Sequence, residues 1–399
     1  MNFIFISPNF PRTYWNFCDR LKKRGVNVLG IGDAPYDGLP SELKGSLTEY
    51  YKVNDMKDYP SMYKAVAYYA FHYGKIDFLE SNNEFWLSQD ASLRTDFNIT
   101  SGVNSAQIVS FQSKAEMKKF YAKGGIPTAR QAKVDTLENA LSFIGEVLYP
   151  IIVKPEVGVG AEATYKISDE GELRHFFDTK PAVPYVMEEF ITGDIYSYDA
   201  IVDSEGEPLF ESSAHFPPSV MDIVNDNLDM VYYVLKDVPG QLRERGRATV
   251  KAFGVRSRFV HFEFFRLSVD KGSLGKKGDF IGLEVNMRPA GGYTPDMMNF
   301  AHNSDVYDIW AEMMVHDRAS ASSLPKDADH WCLYYGRRDA HNYVHSPEEI
   351  RSRYGNRIAM NERIPAAIAP DMGEYMYTLH AFSEEELHEM ISFIGETWK

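Results

Sequence analysis

Between Gly278 and Gly292 the chain alternates with the two-residue period of a strand. Ile281, Leu283, Val285 and Met287 fall on one face, and Gly282, Glu284, Asn286 and Arg288 on the other. One face reads as core and the other as chemistry. A carboxylate and a carboxamide two residues apart project oxygens side by side, as a hard cation such as Mg²⁺ requires, and Arg288 adds a planar cation suited to phosphate or carboxylate. Pro289 and the glycine pair after it end the strand in a turn. The plain alternative for this stretch alone is an edge strand with a solvated polar face, and the residues upstream weigh against it.

Arg258 to Val269 reads as a second strand, with His261 and Glu263 on one face. On an antiparallel neighbour of the first strand, Glu263 would join Glu284 and Asn286 around one cation. His261 reads as a packed core histidine, because an oxygen-only Mg²⁺ site does not require it. Further upstream, Tyr149 to Ala161 is a short apolar strand ending in Lys154-Pro155 and a loop with Gly158 and Gly160. A lysine at a strand end before such a loop is a way to hold a polyphosphate, the ammonium acting as a point charge and the loop N–H groups closing over the oxygens. The Walker A spacing is absent. Ser113-Lys114-Ala115-Glu116 has capping-box spacing, which places Lys114 at a helix N-terminus.

The first hundred residues alternate strand and helix: strands at 3–6, 26–31 and 76–79, helices at 14–23 and 61–73, each helix stopped by a glycine. That order predicts a parallel sheet flanked by helices. No dinucleotide fingerprint is complete there. Glu80 and Glu84, just past the strand at 76–79, are candidates for substrate contact, the alternative being a polar turn. Residues 195–202 and 208–215 read as a hairpin, 216–230 as a substrate loop or lid, and 241–253 as a helix. From 320 onward the pattern is less informative, with strands at 331–335 and 375–381 and a last helix from Ser383.

A chain of 399 residues is too long for one ordinary core, so roughly two to four domains are expected. A net charge of -15 argues against a nucleic-acid surface, so any bound anion needs a local basic site. Cys18 and Cys332 are the only cysteines, which excludes a disulfide framework and suits a reducing compartment. With neither a basic leader nor an apolar run long enough to span a bilayer, a soluble cytoplasmic protein without a membrane partner is expected.

Taken in order, Ser113-Lys114 with Gly125-Ile126-Pro127, Val153-Lys154-Pro155 with Gly158 and Gly160, Glu188 to Ile191 with Gly193, His261 to Phe264, and Glu284 to Pro289 resemble the ATP-grasp superfamily. The likeness covers roughly residues 2 to 315. It is to the carboxylate-amine ligases with a biotin-carboxylase-like layout, similar to L-amino acid ligases and to the domains of the carbamoyl-phosphate synthase large subunit.

The resemblance implies an α/β chain of four segments: a Rossmann-like pre-ATP-grasp domain (1–108), the ATP-grasp lid (109–186), the large subdomain with the metal site (187–318), and a small C-terminal α/β region (319–399). Lys114 and Lys154 resemble the phosphate-binding lysines. Glu188, Glu189, Phe190 and Ile191 resemble the hinge that reads adenine through its backbone. Glu263, Glu284 and Asn286 are similar to the metal ligands, and Arg288 to the arginine that holds the transferring phosphoryl group. ATP and a pair of Mg²⁺ ions, with Mn²⁺ as a substitute, are the implied cofactors.

Relatives commonly carry Gly-x-Glu after the hinge for the ribose, whereas Gly193-Asp194-Ile195 puts Ile there, so Asp194 is the replacement candidate. The implied reaction activates a small-molecule carboxylate with ATP and couples it to an amine or amino acid. Two other readings remain: a small-molecule phosphotransferase, and a non-catalytic ATP-binding regulatory module, against which the full metal set argues. A homodimer is the implied assembly, and 14% aromatic residues would supply an apolar interface or simply a well-filled core.

Overall fold

A computed structural model of the chain describes residues 1–158, 163–217, 228–325 and 330–398. It opens with strands β1 (Asn2–Ile6), β2 (Asn27–Gly32), β3 (Glu49–Lys52) and β4 (Phe78–Glu80), all parallel, in the order β3-β2-β1-β4. Both sheet faces are buried, as parallel sheets require. Along β1, Phe3 and Phe5 face one core while Ile4 and Ile6 face another. The helix Tyr59–Tyr73 begins where the Asp58 carboxylate accepts the Ser61 N–H, and it stops at Gly74, whose positive φ of 81° ends the helical path.

Next come β5 (Gln131–Lys133), β6 (Ile151–Pro155), β7 (Tyr165–Ile167) and β8 (Tyr185–Glu189), an antiparallel sheet in the order β5-β8-β6-β7. The helices Leu137–Val147 and Glu170–Thr179 cover it through Phe143, Ile144, Leu173 and Phe176. This unit has a core of its own, separate from the rest of the molecule.

The third sheet holds β9 (Gly193–Val202), β10 (Pro208–Ser212), β11 (Ala214–Phe216), β12 (Met230–Val234), β13 (Arg258–Leu267), β14 (Phe280–Asn286), β15 (Trp331–Arg337), β16 (Ile358–Arg363) and β17 (Tyr375–Ala381). Its order is β14-β13-β9-β11-β12-β15-β17-β16, with β10 also pairing β9. The strands after residue 319 therefore extend the same sheet that carries 193–286. One apolar core joins it to the opening domain: Trp310 packs edge-on to Phe5 and Phe17, at ring-centroid distances of 6.3 and 4.9 Å. Among the described residues, no helix is long and apolar enough to cross a membrane.

The alternation expected across 281–288 is broken once. Glu263 pairs with Glu284 but Phe264 pairs with Gly282, so Leu283 is an extra residue, a β-bulge. Past the bulge the faces exchange. Gly282 sits on the core side, where a Cβ would come within 2.7 Å of the Tyr121 ring, while Ile281 turns to the other face and packs with Ala129 and Ile191.

Candidate active site

The basic wall has two parts: Lys154 on β6 of the second unit, and the helix Lys114–Lys123, whose Met117 and Tyr121 pack in the core of the large sheet. The helix Lys114–Lys123 starts at Ser113, whose Oγ accepts the Glu116 N–H at 3.2 Å while its own proton goes to Glu156 Oε1 at 2.7 Å. The expected capping box is thus closed on one side only, and the helix end is tied to the loop after β6. Lys114 donates to the Gly158 carbonyl at 3.1 Å and lies 3.4 Å from Glu284 Oε1. Lys154 on β6 and Lys118, one helical turn after Lys114, each reach Glu188 at 2.8 Å. Burial alone would raise the Glu188 carboxyl, but the two ammoniums prevail and hold it down at about 2. Burial lowers Lys118. Lys154, also buried, is nonetheless raised, with Glu188, Glu284 and Glu263 all contributing.

Facing this wall is the polar side of β9, β13 and β14. Glu263 stands directly opposite Glu284, and His261 opposite Asn286. Like charges opposed across a ladder destabilise it unless a cation intervenes. His261 bridges Asp199 at 2.7 Å and Glu263 at 3.3 Å, and these carboxylates raise it to about 9 against the lowering effect of burial. Glu263 is lowered in turn: burial raises it, but the hydrogen bond and charge of His261 together with Arg288 and Lys154 outweigh that.

Among the described residues no three His, Cys, Asp or Glu side chains converge as a metal cage. Two carboxylates and a carboxamide suit Mg²⁺, which is usually bound through one or two carboxylates plus substrate phosphates and water. The opposed pair Glu263/Glu284, with Asn286 beside it, fits such an ion.

Next to this face lies a cavity of about 350 Å³. Glu84, His261, Glu263 and Arg288 give it a polar side, and Tyr232, Ile368 and Met372 an apolar one. Glu84 is pushed up to about 7 by burial, against the pull of Arg288, whose Nε is 3.5 Å away. Arg288 also donates to the Pro289 carbonyl at 2.9 Å and to Asn286 Oδ1 at 3.5 Å.

The structure links Lys114 to Gly158 and Glu284, Lys154 to Glu188, Glu284 to Glu263, and Asn286 to Arg288, and of these Glu263 and Arg288 line the cavity. Glu189 points to the other side of β8, where Arg130 holds it at 2.9 Å. The Phe190 carbonyl accepts from Lys271 at 3.1 Å, and Ile191 is buried against Ile281. Asp194 is not brought to the cavity. Ile195 lines it, so by strand alternation Asp194 faces away, 3.6 Å from His215 Nε2. Gly160, Glu162 and most of the 216–230 loop lie outside the described residues. Glu80 is not a cavity residue either, being buried between Arg94 and Arg258 at 2.8 and 2.5 Å.

Sequence reasoning missed Lys118 and Asp199 and undervalued His261. The signals were there: Lys118 repeats Lys114 at helical spacing, and Ser197 and Asp199 alternate with Tyr196 and Tyr198 as a polar face. Nothing in the sequence pointed to Ile368 and Met372.

No family model matches the chain. The L-amino acid ligase of Bacillus licheniformis superposes on 98% of this chain and 97% of its own, with a TM-score of 0.70 and 16% identity. The biotin carboxylase domain of the Hydrogenobacter thermophilus 2-oxoglutarate carboxylase, solved with MgADP, ADP and bicarbonate, covers 99% of this chain and 90% of its own, with a TM-score of 0.71 and 15% identity. In sequence, the carbamoyl phosphate synthase large chain of Pyrococcus furiosus is 21% identical over 209 residues, 51% of this chain. The match spans only 19% of that synthase chain. The fold is the one these two structures share, as the resemblance to the ATP-grasp proteins implied. Within it, the chain follows the layout shared by the biotin carboxylase domain and the amino acid ligase, each of which it matches over nearly its whole length.

Proposed function

We propose that this chain is an ATP-dependent carboxylate-amine ligase. The observation that carries the reading is the opposed pair Glu263/Glu284, set between Lys114 and Lys154 on one side and Arg288 at the cavity on the other. A triphosphate and a carboxylate repel one another, and the basic wall offsets that repulsion. Lys114 and Lys154 hold ATP phosphates, with Gly158 beside Lys114 and the backbone of 188–191 against the base.

A substrate carboxylate oxygen attacks the γ-phosphorus as ADP leaves. The amine then attacks the acyl carbon, loses a proton, and inorganic phosphate departs. Arg288 steadies the charge on the transferring phosphoryl oxygens. Glu263, Glu284 and Asn286 hold Mg²⁺, in our reading two ions, with Mn²⁺ able to replace them; when bound, the metal neutralises phosphate oxygens and polarises the γ-phosphoryl group.

The remaining assignments are coarser. A cytoplasmic location agrees with two buried free cysteines. The fourfold division at 108, 186 and 318 treats the unit with its own core as the lid. A homodimer is the proposed assembly, and light scattering that gives a concentration-independent monomer rejects it. Incubation with ATP, Mg²⁺ and pooled amino acids is the test of function: ADP and free phosphate appear together. A γ-phosphate retained on product marks a phosphotransferase, and no ADP with any pool rejects the ligase reading.

A further inference from the structure

We propose that Glu80 is a positioning residue that holds Glu84 against Arg288 through the buried guanidinium of Arg258. This inference rests on the ligase reading of Arg288. Glu80 ends β4 in the opening domain and is 3% exposed. Its Oε1 takes Arg258 Nη2 at 2.5 Å, and its Oε2 takes Arg94 Nη2 at 2.8 Å and Arg258 Nη1 at 3.3 Å. Arg94 is anchored by the Leu79 and Val103 carbonyls at 2.9 and 2.8 Å. Gly102, at φ 93°, leaves the room the triad needs, since a Cβ there would come within 2.8 Å of Arg94 Nε.

Two guanidiniums with the carboxyl groups of Glu80 and the neighbouring Asp90 in a dry interior are a poor route to stability, because well-packed apolar side chains often serve as well or better. What the planar fork adds is direction. Arg258 uses it across domains, giving its Nη1 also to the Met287 carbonyl at 2.9 Å. Met287 immediately precedes Arg288. On the other side, the segment after Glu80 is pinned residue by residue. Asp90 takes the Ser81 hydroxyl at 2.6 Å, the Asn82 carbonyl takes the Tyr14 hydroxyl at 2.8 Å, and Asn83 Oδ1 caps the Phe85 N–H at 3.0 Å. Glu84 is thereby delivered to the cavity wall with its Oε2 3.5 Å from Arg288 Nε.

The loop 80–84 and the strand end 287–288 are thus joined by two rungs. The buried rung, Glu80 to Arg258 to Met287, sets the register of the outer rung, Glu84 to Arg288.

The test compares Glu80→Gln and Arg258→Lys with the parent in three measurements: thermal midpoint, amide exchange over 81–88 and 286–290, and half-saturation of ADP release by ATP and by pooled amino acids. Faster exchange in both segments is expected, with half-saturation by the pool raised about 10–100-fold and that by ATP close to the parent value. Arg258→Lys keeps the charge and carries the test if Glu80→Gln does not fold. A lowered midpoint with unchanged exchange and an unchanged pool profile makes the triad merely structural and overturns the proposal. If the parent releases no ADP, the ligase reading fails by itself, and the exchange measurement still decides whether Glu80 sets the two segments.

Discussion

Glu263 and Glu284 occupy one cross-strand position on β13 and β14, with His261 3.3 Å from the first carboxylate and Lys114 3.4 Å from the second. The repulsion between them is partly cancelled by these neighbours and is relieved further by a divalent ion. Mg²⁺ with ADP should therefore stabilise the fold by about 2.7 kcal/mol at a hundredfold excess over Kd, read as a raised thermal midpoint. The double substitution Glu263→Gln with Glu284→Gln should abolish the Mg²⁺-dependent share of that rise. A shift that survives in calorimetry places the ion elsewhere.

Arg288→Lys keeps the charge but loses the planar fork, so turnover should fall by about 10²–10³-fold. Nucleotide affinity should change little, because Lys114 and Lys154 remain. Lys154→Ala should do the reverse and weaken nucleotide binding itself, as titration calorimetry with ADP would report. Equal effects of the two substitutions on affinity would remove the division of labour between wall and arginine.

Glu188 gives a pH signature. Its folded-state value, about 2, lies below the ordinary 4.5, so its contribution to stability is full above pH 4.5 and is lost as pH falls through about 2. Glu188→Gln leaves Lys118 and Lys154 facing one another and should cost about 3–5 kcal/mol at neutral pH. That deficit should shrink as pH drops below 4.5, where the parent begins to lose the same interaction. Urea midpoints of both proteins at pH 6, 5, 4 and 3 would check it, and parallel curves would contradict it.

Gly246 lies on the helix Gly240–Phe253, against the sheet, where an added Cβ would meet the Tyr198 ring at 2.3 Å. Gly246→Ala should lower stability by about 1–3 kcal/mol despite the better helix propensity of alanine. A raised thermal midpoint would mean that Tyr198 yields freely.

Much of this was legible because local patterns and the tertiary fold agree. The strands at 2–6, 27–32 and 78–80, the helices 15–23 and 59–73, the Lys154 strand and an antiparallel partner bringing Glu263 to Glu284 were readable from periodicity and turn residues, whereas the strand Glu49–Lys52 was not. What stayed hidden depends on contacts across the chain. Glu80 and Glu84 look equivalent in sequence, yet one meets Arg258 in the interior and the other Arg288 at the cavity. No local signal separates them, because each partner lies in a distant stretch of the chain. The same holds for Ile368 and Met372, which reach the cavity from the connection between β16 and β17.

Leu283 works as a joint in β14. The pairs on either side of it, Glu263 with Glu284 and Phe264 with Gly282, need no residue between them, so a strand lacking Leu283 would keep every partner and both faces. What it would lose is the bend and the extra twist that a bulge imposes. Before the joint, the strand meets the segments that lead into and out of the second unit: Gly282 donates to the Pro127 carbonyl at 2.8 Å, and Ile281 packs with Ala129 and Ile191. After it, the strand carries Glu284 and Asn286, the proposed metal ligands. One residue of strand length thus separates the part of β14 that meets Pro127, Ala129 and Ile191 from the part that carries the carboxylate and carboxamide.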